Sequence, residues 1–188
     1  MPDAVQRLLK EADRHMLETV EAVNREFGLI RTGRANPAIL DRIRVEYYGQ
    51  KVPIKQAATI TAPEARLLVI SPWDKQMTKS IIDAITSSDL GLNPNSDGNI
   101  VRVPLPQLTT ERRKELVKMV ARKTEEGKIA IRNVRRDTVE KLRAMQKEGT
   151  ISEDDLRRVQ DQVQKVTDGH SEQLDTGQSG KEREIMES

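Results

Sequence analysis

Apolar residues near the N-terminus recur at the spacing of an amphipathic helix. The stripe alternates between steps of four and three residues and consists of Val5, Leu9, Ala12, Met16, Thr19, Val23 and Ile30. Glu26 interrupts it once, and Leu8, Val20 and Phe27 widen it. A helical period held over this length predicts a bundle helix of roughly 40 Å. The pattern stops at residues 31–37, where Gly33 and Pro37 disfavour helix.

Residues 42–103 show a different pattern, with short alternating or apolar runs separated by turn residues. These runs predict strands at 43–48, 52–55, 58–61, 67–70 and 100–103. Gly49-Gln50-Lys51 is the predicted turn between the first two strands. Asp74 is a candidate cap for a helix that runs through Ser87. This stretch therefore predicts a small α/β domain, ended by Pro104 and Pro106.

Helical periodicity returns for the remainder of the chain. Its apolar positions are Leu116, Val120, Ile131, Val134, Leu142 and Met145, then Leu156, Val159, Val163, Val166 and His170. Gly149 predicts the stop between the two helices, and Ser152 with Asp155 resembles a capping box. The predicted fold class is α+β, with a three-helix bundle from residues 1–30 and 106–188. A β/α/β domain of residues 31–105 is inserted between the first two helices.

Composition narrows the classes of protein that fit. Only one Trp, one Phe and two Tyr occur among 188 residues, which suits narrow aliphatic seams between long helices. No cysteine is present, so disulfides and thiolate metal sites are excluded. No signal-peptide core and no apolar run of about 18 residues occur. We therefore expect a soluble, cytoplasmic protein without membrane contact.

No group of residues predicts catalysis, a metal site or a cofactor. Phosphate-loop, dinucleotide and nucleophile-elbow motifs are absent. His15 and His170 are far apart and fall on or beside apolar stripes, which favours bundle packing or partly exposed positions at a helix seam over metal binding. The acidic run Glu153-Asp154-Asp155 is typical of the first turn of a helix. The expectation is a protein that is not an enzyme.

Charge is unevenly distributed, and the second long helix is the basic part. The chain carries +2 overall, whereas residues 107–148 carry +6 and residues 149–188 carry −5. Lys118, Arg122 and Lys128 precede the run Ile131-Arg132-Asn133-Val134-Arg135-Arg136-Asp137. Arginine binds phosphates through paired hydrogen bonds, so this helix is the candidate RNA-binding element. A solvated charged face and an adaptor coiled coil that binds another protein are the alternatives.

At these residues the chain resembles the ribosome recycling factor family of bacteria and organelles over nearly its whole length. The resemblance is carried by residues 31–37 (RTGRANP), 103–106 (VPLP), 108–116 (LTTERRKEL), 131–137 (IRNVRRD), 151–155 (ISEDD) and 181–186 (KEREIM). It implies an L-shaped, tRNA-like molecule in which Arg132, Arg135 and Arg136 are essential.

The resemblance also implies partners and a mechanism. A monomer would bind the large ribosomal subunit, with its 23S-type rRNA, after termination. With elongation factor G and its GTP hydrolysis, it would split the ribosome into subunits. Flexible connectors between the domains are predicted at Arg31, Thr32 and Gly33 and at Pro104 and Pro106. They would form a hinge.

The C-terminal helix departs from the family pattern. Gly169, Gly177 and Gly180 interrupt a helix that in the family usually continues to the C-terminus. Each glycine costs about 1 kcal/mol relative to alanine within a helix. The expectation is that this helix frays or breaks from Gly169 onward.

Overall fold

A computed structural model describes residues 2–188, and these residues form two compact units. The first unit combines the segment that ends at Ile30 with Glu111–Met186. The second comprises Arg31–Thr110 together with Glu187–Ser188. The first unit is all helical, and the second contains every strand found in residues 2–188. The α+β class is thereby confirmed.

Three long helices build the bundle: α1 (Asp3–Leu29), α3 (Thr110–Lys147) and α4 (Glu153–Glu187). The α1 helix buries Val5, Ala12, Met16, Val20, Val23 and Phe27. This confirms the N-terminal stripe, although Leu9 and Thr19 are only half-buried.

The predicted stop and start between α3 and α4 are confirmed. Gly149 adopts φ +77°, a left-handed conformation that glycine tolerates best. The turn closes because the Thr150 amide donates to the Met145 carbonyl at 2.9 Å. The Asp155 amide then donates to Ser152 Oγ at 3.1 Å. Local sequence chemistry therefore sets both helix ends.

The three bundle helices pack closely together at Gly127 of α3. A Cβ placed there would lie 2.9 Å from Val23 Cγ2 of α1 and 3.1 Å from Leu174 Cδ1 of α4. Polar contacts flank this point, since Lys123 pairs with Glu26 and Lys128 Nζ lies 2.6 Å from Asp175 Oδ1. The absent side chain at position 127 thus lets three helices approach each other.

The expectation that α4 breaks at its glycines was wrong. The helix runs without interruption to Glu187. Leu174 and Ile185 are fully buried within this stretch, and His170 Nε2 lies 2.7 Å from Asp13 Oδ1. Burial of a Leu or Ile side chain contributes about 1.5–3 kcal/mol, which offsets the propensity cost of the glycines.

The α/β unit contains two antiparallel sheets and one helix. A hairpin pairs β1 (Arg44–Tyr47) with β2 (Gln50–Pro53). The second sheet contains β3 (Ala58–Glu64), β4 (Leu67–Pro72), β5 (Asn95–Ser96) and β6 (Val101–Pro104) in the order β3-β4-β6-β5. The helix α2 (Met77–Thr86) follows β4. Its Ile81 and Ile85 belong to the same fully buried core as Leu68, Ile70 and Val101.

Several strand bounds differ from the predicted ones. Gln50 and Lys51 belong to β2, so the hairpin turns at Tyr48 and Gly49 instead. Ile54–Gln56 forms a 3-10 turn, although the strand was predicted to continue through Lys55. Ile54 is fully buried there, so core packing outweighs local strand preference. The helix α2 begins at Met77, three residues after Asp74. The Asp74 carboxylate accepts from the Gln76 amide at 2.9 Å and so caps the turn that leads into this helix.

Candidate nucleic-acid interface

The α3 helix has one buried face and one exposed basic face. The buried residues are Leu116, Val120, Thr124, Gly127, Ile131, Thr138 and Leu142. At about 100° per residue, four of the six predicted RNA-binding residues fall within an arc of about 80° on the opposite side. These four are Lys118, Arg122, Arg132 and Arg136, and all are exposed. Helical geometry therefore brings them onto one surface.

Three of these cations have acidic neighbours on the same helix. Arg132 Nη2 lies 3.0 Å from Glu125 Oε1. Arg122 Nε is 3.9 Å from Glu126, and Arg136 Nε is 3.6 Å from Asp137. Exposed pairs of this kind contribute about 0–1 kcal/mol, less than hydrogen bonds to a charged group. A polyanion can therefore displace the carboxylates at little cost.

Arg135 and Lys128 lie at a different place, on the edge of α3 that contacts α4. Arg135 is half-buried, and its Nη1 donates to Gln164 Oε1 at 3.1 Å. Gln164 in turn donates to Asp168 at 2.8 Å. Lys128 is only 24% exposed and pairs with Asp175. Arg135 is thus held beside α4, whereas Lys128 is engaged within the bundle.

This edge also presents a cation that the sequence did not single out. Arg157 precedes Gln164 by seven residues, so the two lie about 20° apart around α4. Its side chain is 72% exposed and pairs with Glu153 at 2.8 Å. The Arg135–Gln164 contact joins residues 29 positions apart. No local spacing rule could have predicted that contact, which determines which side of α4 lies next to α3.

The predicted connectors are attached to the α/β unit by strand pairing and by backbone hydrogen bonds. Pro104 is the last residue of β6 and pairs with Leu67. Beyond it, the Leu105 amide donates to the Arg66 carbonyl at 2.8 Å. On the other connector, the Ala35 amide donates to the Ala65 carbonyl at 2.7 Å. Each connector therefore has a backbone hydrogen bond to the β3–β4 turn, one at Ala35 and one at Leu105.

Gly33 of the first connector lies close to Pro106 and Leu108 of the second. It adopts φ +76°, and a Cβ there would lie 3.4 Å from Leu108 Cγ and 3.5 Å from the Pro106 carbonyl oxygen. Thr32 beside it is buried, whereas Arg31 is exposed. The connectors therefore contact each other at a residue whose backbone geometry favours glycine.

The few aromatic residues are not dispersed. Tyr47 and Tyr48 stack edge-to-face at 4.5 Å, and Trp73 adjoins Asp74, which lies 3.5 Å from the Tyr48 hydroxyl. The carboxylate of Asp74 and then Tyr47 raise the pKa of Tyr48 above its usual range. Tyr48 and Trp73 are 81% and 65% exposed. Composition alone had discounted stacking, and it could not show that three of four aromatics share one region.

The remaining chemical candidates are structural in character. His170 is buried against Asp13, as its place on an apolar stripe predicted. His15 is exposed beside Arg14 and lines the space between α1 and α3 together with Ala12 and Val134, as expected for a position at the seam between helices. Within residues 2–188, no cluster of three acidic or histidine side chains could hold a metal ion. No helix in this part of the chain is long and apolar enough to cross a membrane.

Comparison with known proteins shows which family the chain resembles. The family model described as "Ribosome recycling factor" matches residues 23–186. A ribosome-recycling factor from Syntrophomonas wolfei is 51% identical over 183 residues, covering 97% of this chain and 99% of that protein. One from Halalkalibacterium halodurans is 52% identical over 180 residues, covering 96% and 97%.

Two solved structures are similar over almost the whole chain. The first is a solution structure of a ribosome recycling factor, with 41% identity, a TM-score of 0.70 and complete coverage of both chains. The second comes from models of the T. thermophilus ribosome recycling factor and the E. coli elongation factor G, bound to the E. coli post-termination complex. It has 44% identity and a TM-score of 0.60, covering 96% of this chain and 98% of that one.

Proposed function

Because the chain belongs to the ribosome recycling factor family, we propose that it binds the large ribosomal subunit after translation termination and helps to split the ribosome. Elongation factor G, which hydrolyses GTP, is the partner that drives the splitting and the release of mRNA and tRNA. The family acts as a translation factor and not as an enzyme. The protein would work as a monomer in the cytoplasm.

The observation that carries this proposal is the exposed basic face of α3. Arg132 and Arg136 project from the side opposite the buried stripe, and Lys118 and Arg122 extend the same face by four helical turns. Charged hydrogen bonds from guanidinium groups suit the phosphates of folded RNA. We therefore assign 23S-type rRNA as the principal ligand of this face.

A sedimentation assay tests the proposal directly. Post-termination ribosomes carrying mRNA and deacylated tRNA are incubated with this protein, elongation factor G and GTP. We expect separate subunit peaks with the complete mixture and intact ribosomes when the protein or GTP is omitted. Intact ribosomes in the complete mixture would contradict the recycling function.

An adaptor that binds another protein is the competing function, and salt separates the two. Phosphate contacts release counterions, so RNA binding weakens steeply as salt rises. Apolar docking onto a protein helix depends on salt much less. Binding that is unchanged between about 50 and 200 mM salt would favour the adaptor.

Reorientation of the two units at the connectors is the proposed mechanical step. The connector segments Arg31–Arg34 and 106–109 are short and non-helical. Elongation factor G could then push one unit while the other remains on its RNA site. Pro104 belongs to β6 and pairs with Leu67 of β4, so it would move with the α/β unit.

Cross-linking the connectors should separate binding from splitting. The substitutions Gly33→Cys and Leu108→Cys place one thiol on each connector, where a Cβ at 33 is 3.4 Å from Leu108 Cγ. The Cβ of residue 108 is one bond from that Cγ, so the two Cβ atoms come near the separation of about 3.5–4.5 Å found in disulfides. We expect the oxidised protein to bind ribosomes within about twofold of the reduced form but to split them several-fold more slowly. Equal splitting by both forms would exclude this hinge, and Gly33→Cys alone controls for strain at φ +76°.

A further inference from the structure

A cavity of about 420 Å³ lies entirely within the α/β unit. Arg31, Arg42 and Arg44 line it together with Ser87 and Asp89. Arg42 and Arg44 flank the buried Ile43, and Arg44 is the first residue of β1. Three guanidinium groups around one small space repel each other unless an anion joins them.

The cavity lining has too few carboxylates to balance these arginines. Within residues 2–188, none of the three forms an ion pair, although acidic partners engage many other cations. Asp89 is the one carboxylate in the lining, so the formal charge there is +2. This charge matches a phosphate monoester, which carries about −1.5 to −2 at neutral pH. A single carboxylate or phosphodiester would leave positive charge uncompensated.

The other walls provide room for the group that carries the phosphate. Ile39, Ile43, Ala84 and Leu90 form an apolar side. The volume lies within the range of small-molecule sites, which are largely apolar with a few placed polar groups. We propose that this cavity binds a phosphate monoester, with the phosphate held by the three arginines and its organic part along the apolar side.

A simpler role for the arginines is to stabilise the end of α2. The cavity adjoins the C-terminus of that helix, where cations interact favourably with the backbone carbonyls. That role requires no ligand. It predicts that removing the arginines lowers thermal stability and that the unmodified protein does not bind phosphate.

Amide NMR of the full-length protein distinguishes these roles. The probes are inorganic phosphate, uridine 5′-monophosphate, uridine and the dinucleotide UpU, which carries a phosphodiester only. We expect phosphate and the monophosphate to shift the amides of residues 84–90, and uridine to leave them unchanged. The monophosphate should bind more tightly than UpU. Equal or tighter binding of UpU would overturn the monoester assignment, and no shift with either phosphate compound would overturn the site.

Matched arginine variants locate the contact. We expect Arg42→Ala/Arg44→Ala to weaken monophosphate binding by about tenfold or more. Arg66→Ala is the control, because Arg66 is an exposed arginine of the same unit outside the cavity. If the double variant unfolds, Arg42→Gln removes one charge with less loss of volume and should still weaken binding several-fold. Unchanged affinity in a folded variant would contradict the proposal.

The result is independent of ribosome binding by the bundle. Arg135→Ala lies in the other unit and should leave monophosphate binding at the cavity unchanged. If the protein binds the monophosphate but not ribosomes, the proposed function fails. If it binds ribosomes but not the monophosphate, the cavity proposal fails.

Discussion

Arg135→Ala is expected to weaken binding to the large ribosomal subunit by roughly ten- to a hundredfold. The variant removes charge-assisted hydrogen bonds to RNA phosphates, which are worth about 1.5–3 kcal/mol. Gln164 already holds the guanidinium at 3.1 Å, so little side-chain freedom is lost on binding. Affinity measured by sedimentation or filter binding at physiological salt gives the result.

Two further measurements distinguish the loss of a phosphate contact from a loss of folded structure. Loss of one phosphate contact should reduce the salt slope of binding by about 1. Arg135→Lys should restore part of the affinity, because lysine keeps the charge and loses the planar fork. The control is Arg14→Ala in α1, an exposed arginine that is paired with Glu18 at 3.1 Å. It should bind as the unmodified protein does.

Helix stability should change little in Arg135→Ala, since the side chain is only half-buried and its partner Gln164 remains exposed to water. If Arg135→Ala binds as tightly as the unmodified protein, the contact lies elsewhere. The exposed face of Lys118 and Arg122 then becomes the main candidate.

Periodicity and end signals were sufficient to predict the helical bundle. The stripes of α1 and α3 extend for many turns, and a long repeat leaves few alternative structures. Gly149 and Ser152 were also informative, because a left-handed stop and a side-chain cap are local events. Strand bounds were less accurate, as at Ile54, since burial in a tertiary core decides where a short strand ends.

The candidate site was predicted less completely, because it depends on contacts between helices. The sequence placed Arg132, Arg135 and Arg136 in one group, yet Arg135 faces α4 through Gln164. Lys128 was grouped with them by charge, although Asp175 of α4 engages it. Each of these positions depends on a helix partner that is remote in sequence.

The same limit applies to glycine, whose cost in a helix depends on its surroundings. Gly127 and Gly169 both lie inside long helices, where alanine is favoured by about 1 kcal/mol from propensity alone. A Cβ at Gly169 meets nothing within 4 Å. At Gly127 it would meet Val23 and Leu174, which are 7% and 0% exposed. Alanine substitutions at these two positions therefore measure the effect of helix propensity and the effect of core packing separately.

Gly127→Ala should destabilise the bundle, whereas Gly169→Ala should stabilise it. The new methyl at 127 would lie 2.9 Å from Val23 Cγ2 and 3.1 Å from Leu174 Cδ1, and both neighbours are confined by the core. Overpacking costs about 1–3 kcal/mol, which exceeds the propensity gain, so the net loss should be about 1 kcal/mol. Thermal unfolding followed by helical circular dichroism should show Tm lower by about 2–4 °C for Gly127→Ala and higher by a similar amount for Gly169→Ala.

Gly177→Ala gives an intermediate case that tests the cause. Its Cβ would lie 2.8 Å from Asn24 Oδ1, the end of an exposed and flexible side chain that can rotate away. Its Tm should therefore fall between those of the other two variants. If all three substitutions raise Tm alike, the helices are not tightly packed at Gly127. Helix propensity alone would then account for the effect of each glycine on Tm.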